Sequence, residues 1–282
     1  MRLAARLAAS GRTHGRLISI LAAVAVFVTL SLAPARSGAA GDTWPARLGA
    51  GGIGVARVSS NGQSFDGIAT VGALFGESSG KLGSHFCTAS VVDSPHGDLA
   101  ITAAHCVTGT SGTSGQMVFV PGYANGTEPY GVWQVTRVYT DAAWQSGQDP
   151  DDDVAFLQLS GAPGGAPVEA VTGAEHVATD AAADAGGLVR VIGYPDTADQ
   201  PVSCVNWTKL FSPTQLEFDC GGYTDGTSGG PFLANVSASS GQGTVIGVIG
   251  GYEQGGDLPQ VSYSVAFGAA VAALYQTAKA AS

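Results

Sequence analysis

The chain has 282 residues, 45% of them apolar and only 12% charged, which is enough apolar content for one sizeable core or two modest ones and excludes a disordered chain. Its 42 glycines do not recur every third residue, so a collagen-type helix is excluded. Five of the 12 basic residues precede position 41, which leaves 7 basic against 22 acidic groups over residues 41–282, a formal net charge of −15. That sign argues against a nucleic-acid-binding surface or adhesion to anionic lipid.

The first 40 residues have the order of an export signal. Arg2, Arg6, Arg12 and Arg16 precede an apolar run from Leu17 to Ala33, and small residues follow at Ala33-Pro34-Ala35 and Ser37–Ala40. The alternative is a membrane anchor, since the run sits at the lower edge of a span. Residues 1–40 are therefore read as a signal peptide and residues 41–65 as a propeptide or N-terminal arm. The mature protein is expected to be secreted and to have no membrane association after signal removal.

From Ile68 the texture changes to short apolar or alternating runs. They are Ile68–Phe75, Phe86–Val92, Leu99–Thr102, Met117–Pro121, Val132–Tyr139 and Val154–Leu159, separated by Gly, Ser, Asn, Asp and Pro. Many short strands with such punctuation predict an all-β sandwich or barrel. Residues 161–187 interrupt the pattern with small, weakly acidic residues and read as an inter-domain connection. Strands resume at Leu188–Tyr194, Val202–Phe211, Gln215–Asp219, Pro231–Ala234, Thr244–Gly250 and Val261–Val265. Phe267, Val271, Leu274 and Tyr275 then follow helical spacing, predicting a closing helix packed on the second domain.

The four cysteines, Cys87, Cys106, Cys204 and Cys220, allow three pairings. The sequential pairing closes two short loops, each stabilising by about 3 kcal/mol in the chain-entropy view. No CxxC spacing points to zinc.

Three segments carry candidate chemistry. Ile101-Thr-Ala-Ala-His-Cys106 places His105 just after an apolar strand. In Asp151-Asp-Asp-Val-Ala-Phe-Leu-Gln-Leu159, Asp153 abuts a strand and is the aspartate best placed for burial; Asp151 and Asp152 read as solvated. Gly226-Thr-Ser-Gly-Gly-Pro231 sets Ser228 in a tight glycine-rich turn, where backbone N–H groups can converge on one point as an oxyanion site. The turn does not match the phosphate-cradling patterns, since no Gly-Lys-Ser or GxGxxG follows a strand.

The order His, Asp, Ser over roughly 120 residues resembles that of the trypsin-like (chymotrypsin-fold) serine peptidases. Thr102–Cys106 is similar to that family's histidine motif, Asp153–Leu159 to its Asp-Ile-Ala-Leu-Leu pattern, and Gly226–Pro231 to its Gly-Asp-Ser-Gly-Gly-Pro with one change. The texture looks most like exported bacterial members, and the likeness spans roughly residues 66–280. It implies two six-stranded antiparallel β-barrels, residues 66–160 with His105 and Asp153, and residues 188–282 with Ser228 and the C-terminal helix. It also implies a Cys87–Cys106 cystine; the second pair departs from the family pattern, since Cys220 lies eight residues before Ser228 rather than four, and Cys204–Cys220 is expected to link neighbouring strands instead. The implied activity is peptide-bond hydrolysis by a secreted, monomeric serine endopeptidase through an acyl-enzyme. Ser228 would be nucleophile, His105 acid–base and Asp153 its orienting carboxylate, with the N–H groups of Gly226 and Ser228 as oxyanion hole. No cofactor or metal is expected, and the partner is a protein or peptide substrate.

Two departures keep a second reading, a catalytically weak or inactive binding protein on the same fold. Thr227 stands where the family has an aspartate that pairs with a new N-terminus. Gly250 stands where a serine usually bonds the catalytic aspartate. The substrate pocket is assigned to Gly222, Ile249, Gly250, Gly251 and Tyr252, with Asp225 on its rim. With Gly222 six residues before Ser228, a neutral, small or apolar side chain is the expected preference.

Overall fold

A hairpin opens the fold. Strands β2 (Val71–Ser78) and β3 (Lys81–Val92) are joined by Ser79-Gly80, both at positive φ (54° and 73°), a two-residue turn whose twist suits antiparallel strands. The hairpin extends β3 five residues before the apolar run read from sequence. With β4 (Leu99–Thr102), β5 (Gln116–Pro121), β6 (Trp133–Thr140) and β7 (Ala155–Leu159) it closes into a six-stranded barrel in the order β2-β3-β4-β7-β6-β5. This computed structural model describes residues 57–108, 116–160, 165–180 and 185–282. The signal-peptide assignment and residues 41–56 of the arm lie outside the described residues.

Alternate barrel residues fall into two apolar clusters, as the two-residue period of a strand requires. Leu74, Val91, Ala100, Phe119 and Leu157 belong to one. Phe75, Leu99, Ile101, Val118 and Phe156 belong to another, which continues into the second sheet through Val191, Phe218, Phe232 and Ile246. Burial on both faces explains why these strands read as apolar runs.

The second sheet is built from β9 (Leu188–Gly193), β10 (Val202–Ser212), β11 (Gln215–Asp219), β12 (Pro231–Ala234), β13 (Thr244–Val248) and β14 (Val261–Val265), in the order β14-β11-β10-β9-β12-β13. Two short strands join it from segments that looked unstructured in sequence. β1 (Gln63–Ser64) pairs with β10, and β8 (His176–Val177) pairs in parallel with β13. A five-residue helix, α2 (Val168–Thr172), precedes β8; an earlier helix of six residues, α1 (Ala142–Gly147), lies between β6 and β7. Both disulfides are formed, Cys87–Cys106 and Cys204–Cys220.

The C-terminal helix, α3 (Ala269–Ala281), departs from expectation. It packs on β6 and β7 of the first barrel rather than on the second. Val271, Tyr275 and Ala278 form its buried stripe. The Tyr275 ring stacks on Phe156 at 5.0 Å, and its hydroxyl donates to the Asp93 carbonyl. Helical periodicity states which face is apolar but not which neighbour offers a matching ring.

Glu175 ties the two sheets together. It is fully buried, and its carboxylate accepts from Thr70 Oγ1 beside the first barrel and from the Gly243 N–H before β13. Burial pushes its pKa up, against the lowering pull of those two hydrogen bonds, His176 and Arg190. A carboxyl with a raised folded-state pKa contributes stability that is present below its unfolded value and lost as pH rises through the folded one. Glu175→Gln is therefore expected to raise Tm relative to the wild type more at pH 8 than at pH 4. Thermal melts across that range check this; a constant difference would show that the charge carries no penalty.

Candidate active site

Strand register brings the first two candidate residues together. Thr102 pairs with Ala155, so the residues after β4 and before β7 emerge at the same end of the barrel. His105 sits in a turn closed by Val107 N–H and Thr108 N–H, both donating to the Ala104 carbonyl. The Cys87–Cys106 bridge ties that turn to β3. Asp153 follows a 3-10 turn, Pro150–Asp152, capped by the Asp149 side chain.

The Asp153 carboxylate is fully buried and accepts three N–H bonds. They come from His105 Nδ1 at 2.7 Å, the His105 backbone at 2.8 Å and the Gly251 backbone at 2.8 Å. A carboxylate only accepts, so Nδ1 carries the proton and Nε2 is left free. The imidazole is 13% exposed. A Cβ on Gly250 would meet Asp153 Oδ2 at 2.9 Å, so the position opposite the carboxylate is filled closely without a side chain. The neighbouring Gly251 N–H supplies a donor to the same carboxylate oxygen.

Ser228 lies in the loop between β11 and β12. Gly226 has φ +88°, and a Cβ there would meet Tyr194 O and Asp196 N at 2.5 Å; Gly229 has φ +80° and would meet Thr88 O at 2.2 Å. Only glycine fits both places. Thr227 is buried, and its hydroxyl donates to the Thr224 carbonyl at 2.7 Å, so the loop is held without the family's ion pair. The loop's carbonyls are mostly engaged: Gly230 N–H donates to Thr227 O and Asp196 N–H to Asp225 O. The N–H groups of Gly226 and Ser228 donate to no acceptor among the described residues.

A residue that sequence reasoning missed stitches this loop to the first barrel. Thr88, fully buried on β3, donates its N–H to Ser228 O at 2.7 Å and its hydroxyl to Gly226 O at 3.0 Å, and the hydroxyl accepts Tyr194 N–H at 2.9 Å. Thr102 Oγ1 donates to Thr88 O in turn. The only signal was a threonine following Cys87. Thr88→Val keeps the shape but leaves a buried carbonyl and N–H unpaired, each worth about 1–3 kcal/mol. We expect kcat to fall at least about 10-fold with KM little changed, Tm to drop, and Thr88→Ser to restore both. Gln215 is a second missed residue. It is buried, donates to Asp151 Oδ1 at 2.7 Å and Pro150 O at 3.1 Å, and accepts Tyr252 N–H at 3.1 Å, so Asp151 is not merely solvated.

His105 and Ser228 line one cleft, a cavity of about 590 Å³ between the barrel and the second sheet. Phe86 and Cys87 line it from the barrel side, and residues 223–228, 253–257, Ile249, Pro259 and Ser262 from the other. Of the five assigned pocket residues, Ile249 lines it. Gly250 and Gly251 instead back Asp153, Tyr252 is exposed beside Phe211 and Tyr263, and Gly222 lies by Gly62 of the N-terminal arm. Asp225 lines the cleft and is exposed.

The surroundings are electronegative. The Tyr252 phenol is raised, first by its hydrogen bond to Glu253, then by the charges of Glu253 and Asp257. Tyr263 is raised, first by burial and then by Glu217 and Glu253. Among the described residues, Cys87, His105 and Cys106 come close enough to hold a metal, but both sulfurs are consumed in the disulfide.

Known structures share this architecture. Protease Anisep from Arthrobacter nicotinovorans is 26% identical, with a TM-score of 0.66 over 78% of this chain and 99% of that one. The thermostable serine protease AL20 from an extremophilic microorganism is also 26% identical, with a TM-score of 0.63 over 76% and 98%. A Glu endopeptidase, at 17% identity, shares the fold alone, with a TM-score of 0.60 over 79% and 99%. No curated protein sequence matches the chain. The trypsin family model matches residues 69–271, most of the chain and all three candidate segments. The chain therefore belongs to the trypsin family of serine-type endopeptidases.

Proposed function

We propose that this protein is a secreted endopeptidase that cuts peptide bonds through an acyl-enzyme on Ser228. The observation that carries the reading is the His105–Asp153 pair at 2.7 Å, opening onto the same cleft as Ser228. Ser228 Oγ attacks the substrate carbonyl carbon, and its proton passes to His105 Nε2. The tetrahedral oxyanion receives the otherwise unpaired N–H groups of Gly226 and Ser228. His105 gives the proton to the departing amine as the C–N bond breaks. Water then attacks the ester, His105 takes its proton and returns it to Ser228 Oγ, and the acid product leaves. Asp153 holds Nδ1 protonated and stabilises the imidazolium while it exists.

Export through residues 1–40 accompanies this reading. The two disulfides support an oxidising compartment, and no helix among the described residues is long and apolar enough to cross a membrane. The experiment is labelling with a fluorophosphonate, which reacts only with an activated serine. Stoichiometric labelling mapped to Ser228 is expected. An unlabelled, folded protein would favour the binding-protein reading.

A further inference from the structure

His105 has neighbours that its part in the triad does not use. One ligand-type atom from each of Cys87, Cys106 and His105 lies within 4.8 Å of the others. Among the described residues no other His, Cys, Asp or Glu side chains form such a group of three. Cys204 and Cys220 are bonded too, yet gather no third member among the described residues, so a disulfide does not by itself create the arrangement. While the Cys87–Cys106 bond is closed, its sulfurs hold no metal. Opened, they become two thiols beside an imidazole. That is a zinc donor set, with sulfurs at about 2.3 Å, a nitrogen at about 2.0–2.1 Å and a fourth position for water. A tetrahedral ion keeps such donors roughly 3.5–4 Å apart, so small side-chain rotations close the set.

The imidazole's orientation is a second, independent observation. Metal-bound histidines donate their other ring N–H to a carboxylate, which fixes the tautomer and makes the ligating nitrogen more basic. Asp153 already does this. It is fully buried and accepts Nδ1–H at 2.7 Å, which leaves the free lone pair on Nε2. The pair that makes a general base therefore also makes a zinc ligand. Cys87 and His105 both line the cleft of about 590 Å³, so a small reductant and an ion reach them from solvent.

We propose that reduction of Cys87–Cys106 opens a zinc site made of Cys87 Sγ, Cys106 Sγ and His105 Nε2, and that the bound ion silences the enzyme. The two electrons come from a dithiol. One of its thiolates attacks the sulfur of Cys87, the residue that lines the cleft; the S–S bond breaks and Cys106 leaves as a thiolate. The second thiol of the reductant displaces Cys87 and closes the reductant's own disulfide. Zn²⁺ replaces the two thiol protons, which pass to solvent. It also takes the Nε2 lone pair that would accept the Ser228 proton. The silencing rests on His105 serving Ser228 as base; the binding does not.

The test starts from protein reduced with dithiothreitol, freed of it by anaerobic gel filtration and titrated with Zn²⁺ or Co²⁺. Binding of a single ion per chain is expected, with thiolate-to-cobalt charge-transfer bands and the d–d bands of a tetrahedral site. The oxidised protein is expected to show neither. Cys87→Ser/Cys106→Ser, which retains Cys204 and Cys220, is expected to lose the bands. Asp153→Asn is expected to weaken zinc binding by about 10–100-fold, the usual cost of removing the carboxylate behind a ligating histidine. In the reduced wild type, zinc is expected to abolish fluorophosphonate labelling of Ser228 and a chelator to restore it. Near-ultraviolet circular dichroism follows the fold, and a reduced chain that stays unfolded with zinc present overturns the inference. A folded reduced protein without the charge-transfer bands does so as well, as does zinc affinity unchanged by Asp153→Asn and His105→Ala. Labelling that bound zinc leaves untouched overturns the silencing. If the bands appear but oxidised, metal-free protein neither cuts peptide nor takes the label, the zinc site stands and the peptidase reading fails alone.

Discussion

Ser228→Ala is expected to lower kcat on a peptide substrate by about 10⁶-fold, with fluorophosphonate labelling lost entirely. Removing the nucleophile of such a triad costs about as much as removing all its members, because the groups act as one unit. What remains is binding and the oxyanion donors, typically 10³–10⁴-fold over the uncatalysed reaction. The fold should not suffer. The Ser228 hydroxyl has no hydrogen bond to another described residue, whereas its carbonyl, unaffected by the change, is held by Thr88. Steady-state kinetics beside a thermal melt separate the two effects. A variant within tenfold of the wild type would end the mechanism, and an unfolded variant would show that the hydroxyl has a structural role not seen in its contacts.

Asp153→Asn is expected to cost about 10⁴-fold in kcat, the magnitude typical of an amide replacing the triad carboxylate. Three N–H groups converge on the two carboxylate oxygens. An amide offers one oxygen and one NH₂, so at least one donor faces another donor. If the amide oxygen accepts from the His105 backbone, its NH₂ confronts Nδ1 and Gly251 N–H. The imidazole then relieves the clash by moving its proton to Nε2, and the base that should face Ser228 becomes a donor. KM should change little, because Asp153 is fully buried behind His105 and does not line the cleft. Tm should fall as well, since a buried donor loses its acceptor. Measurement of kcat and KM on one peptide, with a melt, distinguishes this tautomer effect from a general loss of structure, which would remove fluorophosphonate labelling and folding together.

Glu175, Thr88 and Gln215 show what kind of information the linear order hides. Each is buried and polar, each joins segments far apart in the chain, and none belongs to a recognisable pattern. A threonine after a cysteine or a glutamine at the head of a strand is common. Its meaning comes from the groups it meets, 138 residues away for Thr88 and Gly226 and 64 for Gln215 and Asp151. The arm and the connection were misleading for the same reason. Two-residue strands such as β1 and β8 carry no periodicity, and they exist because a neighbouring edge offers unpaired backbone groups.

His105, Asp153 and Ser228 were legible because their surroundings are local. A histidine turn after an apolar strand, an aspartate before one, and a serine among glycines forced by close backbone approach are each written within six to nine consecutive residues. Alternating apolar runs likewise announced an all-β architecture, since strand periodicity is a property of neighbours along the chain. The cleft's walls, the barrel that carries α3 and the threonine stitch behind Ser228 depend instead on which surfaces meet after collapse. Burial and charge at those places are set by partners distant in sequence. Carboxylates at 253 and 257 therefore line the same cleft as Ser228 although nothing near them in the chain says so.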